Sequence, residues 1–294
     1  MFNFFANIFG YILNMIYDVI NNYGISIIIF TLILKMVMLP ISVKQQKTMK
    51  KTAKIQKEAQ KIQEKYSNDQ VRQSQELMEL YKRENMSPFS GCLTSILQII
   101  LILSMFYLVS RPLTYMKHVD QTLISTYTQQ IEEKRGEKIG YPEIAIIKEF
   151  SKSDEKVNIN MNFLGLDLSD IPTQDLTDWK VYVIPVLYVL TSLLSTKLTM
   201  NTNKKKEEKE NSVVKVLEKE KTEEPNEEKT EPSDQDMMNE MSKQMTFMMP
   251  IMTVSVALIA PLGLALYWLV SNLFMICERL ILNMIFKEEE ENNG

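Results

Sequence analysis

Apolar and polar positions in this chain are segregated into long blocks. From Ile25 to Val43 the side chains are almost all apolar, over a length that suits a bilayer span. Similar runs fall at 91–110 and 180–199, and a longer one from Met245 to Cys277 is interrupted at "APLG" (260–263). The last run exceeds one span and reads as two, 245–260 and 261–280, joined by a tight turn. The first span covers 23–43, with Pro40 near its end. Ahead of it, residues 1–22 place Phe5, Phe9, Ile12, Ile16 and Val19 at helical spacing, with Asn3, Asn7, Asn14 and Asp18 mostly on the other side. That pattern predicts an amphipathic helix lying in the membrane interface. A signal peptide is the rival reading. It would need a basic residue before the apolar part and a small-residue cleavage site after it, and neither is present.

The polar blocks fill in the rest. In 44–88, Ile55, Ala59, Ile62 and Tyr66 recur at helical spacing, "SND" (67–69) breaks the pattern, and Val71, Leu77, Leu80 and Tyr81 resume it. This predicts a helical hairpin with its turn at Ser67–Asp69. Residues 111–179 read as a polar loop. Within it "FLGLDLSD" (163–170) is apolar enough to reach the interface, and Trp179 and Tyr182 stand as aromatic anchors at a membrane boundary. Residues 200–244 are dominated by Lys, Glu, Asn, Thr, Pro and Ser, a composition that predicts disorder. Residues 281–294 form an acidic tail.

Charge sets the orientation. The whole chain carries 33 Lys and Arg against 37 Asp and Glu, but residues 44–65, directly after the first span, hold eight lysines and two glutamates. The positive-inside rule puts that side in the cytoplasm. The expectation is an all-α membrane protein of five spans in the cell membrane. Its amino terminus and the 111–179 loop lie outside; the hairpin, the 200–244 loop and the carboxyl terminus lie in the cytoplasm.

Lys35 is the anomaly in this picture. Nine residues separate it from Lys44, about 13 Å of helix, while the hydrocarbon half-thickness is about 15 Å. Its ammonium therefore cannot comfortably snorkel to a headgroup, and insertion at that depth costs about 2.5–3.5 kcal/mol. The cores of the other spans contain no acidic residue to pair with it. A hydrated cavity within the bundle would offset the cost. Thr31, one turn earlier on the same face, and Gln98, Thr191, Ser192, Ser195, Trp268 and Asn272 in the other spans could line it. For the small hydroxyls, ordinary helix packing with bonds back to their own helix is an equal reading.

Little else carries chemistry. HExxH, CxxC, GxSxG and glycine-rich phosphate-loop patterns are absent, only eight glycines are available, and His118 is the single histidine. No metal, cofactor or catalytic residue is expected, and the reading is not an enzyme. Cys92 and Cys277 both lie in apolar segments and read as inert thiols. Met237, Met241, Met245, Met248 and Met252 form a helical stripe, read first as packing. The last two spans are short, about 25 Å each, which would thin the bilayer around them. The basic hairpin could attract anionic lipid or RNA, but its topological role already accounts for most of its lysines. An anion channel using Lys35 for selectivity is the alternative function, although no inverted repeat supports it.

Several stretches together resemble the YidC/Oxa/Alb membrane protein insertases: "TLILKMVMLPISVKQQKTMKK" (31–51), "QEKYSNDQVRQSQELMELYKRENMSPFSGC" (63–92), Gln98, "FLGLDLS" (163–169), "IPVLYVLTSLL" (184–194), and "MMPIM" (248–252) with "PLGLALYWLVSNLF" (261–274). The resemblance runs through nearly the whole chain. Lysine at 35 stands where the family usually has arginine. Thr94, Ile100 and Lys57 stand where prolines are common, and the large extra domain of Gram-negative members is missing. The resemblance implies a hydrophilic groove, open to the cytoplasm and to lipid, with Lys35, Gln98 and Trp268 contributing to it. It further implies nascent membrane proteins as substrates and the Sec translocon as a partner, with the ribosome reached through the hairpin and tail. No ATP would be needed.

Overall fold

The structure is a computed structural model that describes residues 2–67, 69–84, 90–174, 176–198 and 255–292. The 200–244 loop, the methionine stripe and most of the span read at 245–260 lie outside the described residues, as do the side chains of Gln98 and Cys92. In chain order the helices are α1 (Phe2–Ile20), α2 (Tyr23–Lys65), α3 (Gln70–Arg83), α4 (Ser90–Ser110), α5 (Pro112–Tyr115), α6 (Gln121–Arg135), α7 (Pro142–Phe150), α8 (183–198), α9 (255–259) and α10 (Leu262–Asn292). Between α7 and α8 come a 3-10 turn at Glu155–Val157, strands β1 (Asn162–Phe163) and β2 (Leu166–Asp167), and a second 3-10 turn at Trp179–Tyr182 that leads into α8. Among the described residues, Tyr23–Gln45, Trp179–Leu198 and Leu262–Leu282 are long and apolar enough to cross a membrane. In α4 the described part of the apolar stretch is Ile99–Ser110.

The chain divides into two compact units. One comprises Met1–Asn21 with Ile29–Ile159, the other Asn22–Ile28 with Asn160–Gly294. In the first, α1 packs along α4 and α5 through Ala6, Phe9, Gly10, Leu13 and Tyr17. This stripe differs from the large-residue stripe the spacing picks out: of those five residues only Phe9 is buried, and Val19 is 87% exposed. Two helices approach closely where side chains are smallest. At Gly10 the contact is to backbone, because a Cβ there would stand 1.9 Å from the Tyr115 carbonyl oxygen. Tyr115 reaches back along α1 and donates its hydroxyl to Asn3 Oδ1 at 3.1 Å. The Phe9 ring meets Phe30 of α2 at 5.7 Å, and Lys117 pairs with Asp18 at 3.3 Å beside the Tyr17 ring.

Helix α2 continues past the end of the first span to Lys65. Pro40 does not stop it: proline removes one helical bond, and the residues that follow are largely good helix formers. Its last turns pack on α3, where Ile55, Ala59 and Leu80 are buried and Ile62, Leu77 and Tyr81 flank them. Asp69 caps α3, accepting from the Arg72 N–H at 3.0 Å.

The stretch read from sequence as a polar loop, 111–179, is folded. Asp120 caps α6, left-handed Gly136 closes it, and Pro142 opens α7. Ile124, Ile131, Ile144, Ile146, Ile147 and Val157 are buried between and beside these helices. Glu143 is buried too. Its carboxylate accepts from the Thr114 N–H at 2.9 Å and from Thr114 Oγ1 at 2.5 Å, at the first turn of α5. Burial is the largest influence on this carboxyl and raises its pKa, and the Thr114 hydrogen bonds oppose that shift.

In the second unit, the segment 160–170 ties together the starts of two spans. The Tyr23 N–H donates to the Asn160 carbonyl at 3.0 Å, and Asn22 Nδ2 to the Asn162 carbonyl at 2.7 Å. The Leu262 N–H donates to the Asp170 carbonyl at 2.9 Å and the Gly263 N–H to the Leu168 carbonyl at 3.0 Å. These main-chain bonds satisfy donors that the first turns of α2 and α10 leave without a helical partner.

Candidate functional site

Each helix places its polar residues at a definite depth. On α2, Lys35 lies twelve residues after Tyr23, about 18 Å along the axis. It is half-buried, and Thr31 one turn above it is fully buried. Pro40 has no N–H to offer the Met36 carbonyl, so the helix's own bond to that oxygen is missing one residue from Lys35. The lysine thus sits in a stretch of helix whose backbone is itself more polar than usual. Gln98 is on α4 in the same unit.

Thr191, Ser195, Trp268 and Asn272 belong to the second unit. Here the structure brings residues together directly. Asn272 Nδ2 of α10 donates to Thr191 Oγ1 of α8 at 3.2 Å. Thr191 Oγ1 in turn donates to the Tyr188 carbonyl at 2.9 Å, so this hydroxyl bonds back to its own helix and across to another. The Tyr188 ring lies 5.9 Å from Trp268, tilted by 32°. Ser195 and Asn272 are both buried, at 7% exposure, and Trp268 is half-buried. Thr191 lies about 18 Å along its span from Trp179, and Asn272 about 15 Å along α10 from Leu262. Both depths are near the middle of a hydrocarbon layer about 30 Å thick. The Ser192 carbonyl accepts from Thr196 Oγ1 at 3.0 Å, a bond within α8.

Tyr188 is the member that sequence reasoning missed. It stands three residues before Thr191, so helical spacing could have found it once Thr191 was singled out. The Met36 carbonyl was also missed, although the Pro40 pattern signals it.

Each unit by itself thus offers polar groups at mid-span depth: the Lys35 side chain in the first, and the hydrogen-bonded Thr191 and Asn272 in the second. Among the described residues no group of His, Cys, Asp and Glu is placed to hold a metal ion.

Comparison with known proteins bears on these same segments. The sequence pattern of the family described as "60Kd inner membrane protein" matches residues 15–290. The membrane protein insertase YidC of Fusobacterium nucleatum is 36% identical over 106 residues, covering 36% of this chain and 52% of that protein. The membrane protein insertase YidC of Francisella tularensis subsp. novicida is 34% identical over 107 residues, again 36% of this chain but 19% of that protein. The matched stretch therefore spans about half the length of one curated relative and a fifth of the other. Because the family pattern runs through nearly the entire sequence, this chain belongs to the 60Kd inner membrane protein family, the YidC/Oxa/Alb family.

Proposed function

We propose that this chain is a membrane protein insertase and chaperone of a bacterial cell membrane. The observation that carries the reading is that polar residues fall at mid-span depth on three candidate spans: Lys35 on one and, in the other unit, Thr191 bonded to Asn272 on two more. Polar groups at that depth are costly unless they serve a polar path. Both sets serve one task, with Lys35 supplying the charge and Thr31, Gln98, Thr191, Ser195, Trp268 and Asn272 supplying the hydrophilic surface. Lys35 attracts the acidic tail of a nascent protein and holds it part-way across. The adjoining apolar segment then partitions into lipid, driven by roughly 25 cal/mol for each Å² buried. The Sec translocon and the ribosome are the partners, the latter met by the α2–α3 hairpin and the acidic tail. No chemical step is involved.

Five spans are the count that connectivity favours. Gly263 and the Tyr23 ring are neighbours, a Cβ on the glycine falling 3.6 Å from the ring. Helices α2 and α10 thus start from one membrane face, and the chain between them must cross an odd number of times. Helices α4 and α8 supply two crossings. A third supports the span read at 245–260, with α9 as its described end. The lysines of 44–65 make the starting face the outside, with the amino terminus outside and the carboxyl terminus in the cytoplasm.

The test is complementation of insertase-depleted cells. Lys35→Arg retains insertion of substrates with acidic tails and Lys35→Glu abolishes it. Full activity of the Glu variant would remove the electrostatic mechanism.

A further inference from the structure

We infer that the β1–β2 hairpin is a lipid anchor: its tip, Leu164, inserts into the leaflet at the face where α2 and α10 begin. Three observations converge. First, the segment is fixed at that depth, since its main chain is hydrogen-bonded to Tyr23 on one side and to Leu262 and Gly263 on the other, the first residues of two candidate spans. Phe163 packs directly over Gly24, where a Cβ would fall 2.6 Å from its ring. The hairpin cannot stand off from the membrane surface without breaking these contacts.

Second, the tip carries an unexpected residue. Phe163 pairs with Leu166, leaving Leu164 and Gly165 as a two-residue turn with φ of 53° and 82°. Such turns favour Asn or Gly at both positions because φ is positive. A leucine meets the turn's geometry at a cost and is 88% exposed, so neither backbone conformation nor protein packing accounts for it. A leaflet that takes up its side chain does.

Third, between the second and third apolar runs, exposed large apolar residues fall only in this neighbourhood among the described residues. Among the described residues from 112 to 159 no large apolar side chain is exposed, as befits a water-facing layer. From 160 to 179 there are three: Leu164, Leu176 at 73% and Trp179 at 72%. The last opens the span Trp179–Leu198, and tryptophan at a span end favours the headgroup level. Leu164, Leu176 and Trp179 therefore stand along the segment whose two ends are tied to span starts. Lipid is the occupant that this continuity with the spans selects.

Nitroxide labelling of the full-length chain tests the assignment. Leu164→Cys is labelled in a Cys92→Ser, Cys277→Ser background and reconstituted into vesicles of phosphatidylethanolamine and phosphatidylglycerol. Collision with oxygen, relative to collision with a water-soluble nickel chelate, should be several-fold higher than for a label at Glu137→Cys, an exposed position between α6 and α7. A ratio equal to that at Glu137 would place the tip in water and overturn the inference. Shielding from both collision partners would mean that protein covers the tip, and would overturn it equally. A label at Leu176→Cys repeats the measurement on a second residue, so a misfolded tip variant still leaves an answer.

Discussion

Gly10→Ala should destabilise the protein by about 3 kcal/mol, the upper end of the range for overpacking. The added Cβ would stand 1.9 Å from the Tyr115 carbonyl oxygen and 2.6 Å from its carbonyl carbon. Contact becomes tolerable only near 3.0 Å, so helix and turn must part by roughly 1.1 Å. Both obstructing atoms are backbone, so no side chain can rotate out of the way. A gap of that size forfeits about a quarter to a half of the dispersion energy along the seam, where Ala6, Phe9, Leu13 and Tyr17 are buried. The comparison variant is Gly140→Ala: nothing lies within 4 Å of a Cβ there and its φ is not positive. It should be neutral or gain about 0.4–1 kcal/mol by narrowing the unfolded ensemble. Thermal unfolding in detergent micelles, followed by far-ultraviolet circular dichroism, reads both. At roughly 2–4 °C for each kcal/mol, the Gly10 variant should melt about 6–12 °C below wild type. If the two variants melted at about the same temperature, α1 would not be held against α5 as described, and it would instead be a helix resting on lipid alone.

Two further outcomes follow from side-chain geometry. Glu143 has a folded pKa above its ordinary 4.5, so the fold binds its proton more readily than the unfolded chain does. Its contribution is complete below about 4.5 and is lost as pH rises through the raised value. The stability difference between wild type and Glu143→Gln, measured by unfolding in micelles from acid to neutral pH, should therefore shrink as pH increases. A difference that grows with pH would show that the Thr114 hydrogen bonds outweigh burial. For Thr191 and Asn272, a double-mutant cycle with Thr191→Val and Asn272→Leu should give a coupling of about 0.6–1.7 kcal/mol. Strict additivity would mean that the 3.2 Å contact contributes nothing.

The membrane class and the unusual residue in the first span were legible because both are one-dimensional signals. A run of apolar side chains has the length of a bilayer, and a lysine inside one stands out whatever the neighbours do. Helix–helix seams are different. Hydropathy cannot tell an apolar face that meets lipid from one that meets protein, and the face of α1 that packs is marked by its small residues, Ala6 and Gly10. The 111–179 segment misled for another reason. Its average is polar and charged, which hides a small isoleucine core, although the caps were present at Asp120, Gly136 and Pro142. The stitching of 160–170 to Tyr23 and to Leu262 joins positions far apart in the chain through backbone atoms, and no pattern of side chains encodes that directly. In the site, Thr191 and Asn272 were singled out by type and depth. Their contact, 81 residues apart in sequence, needed the fold.

The magnitude available at Lys35 limits what the proposed mechanism can carry. A pair of unit charges about 4 Å apart is worth about 4 kcal/mol at an effective dielectric of 20. Holding one aspartate at the centre of a bilayer costs about 2.5–3.5 kcal/mol on insertion scales. A single lysine therefore offsets roughly one acidic residue in a tail held at mid-depth. A second acid in the same tail must find another donor. On the proposed mechanism, Lys35 by itself thus favours short tails with one acidic residue. For a tail richer in charge, the cost that Lys35 leaves uncompensated has to be met from elsewhere, either by burial of a longer apolar segment in lipid or by a partner with its own aqueous path.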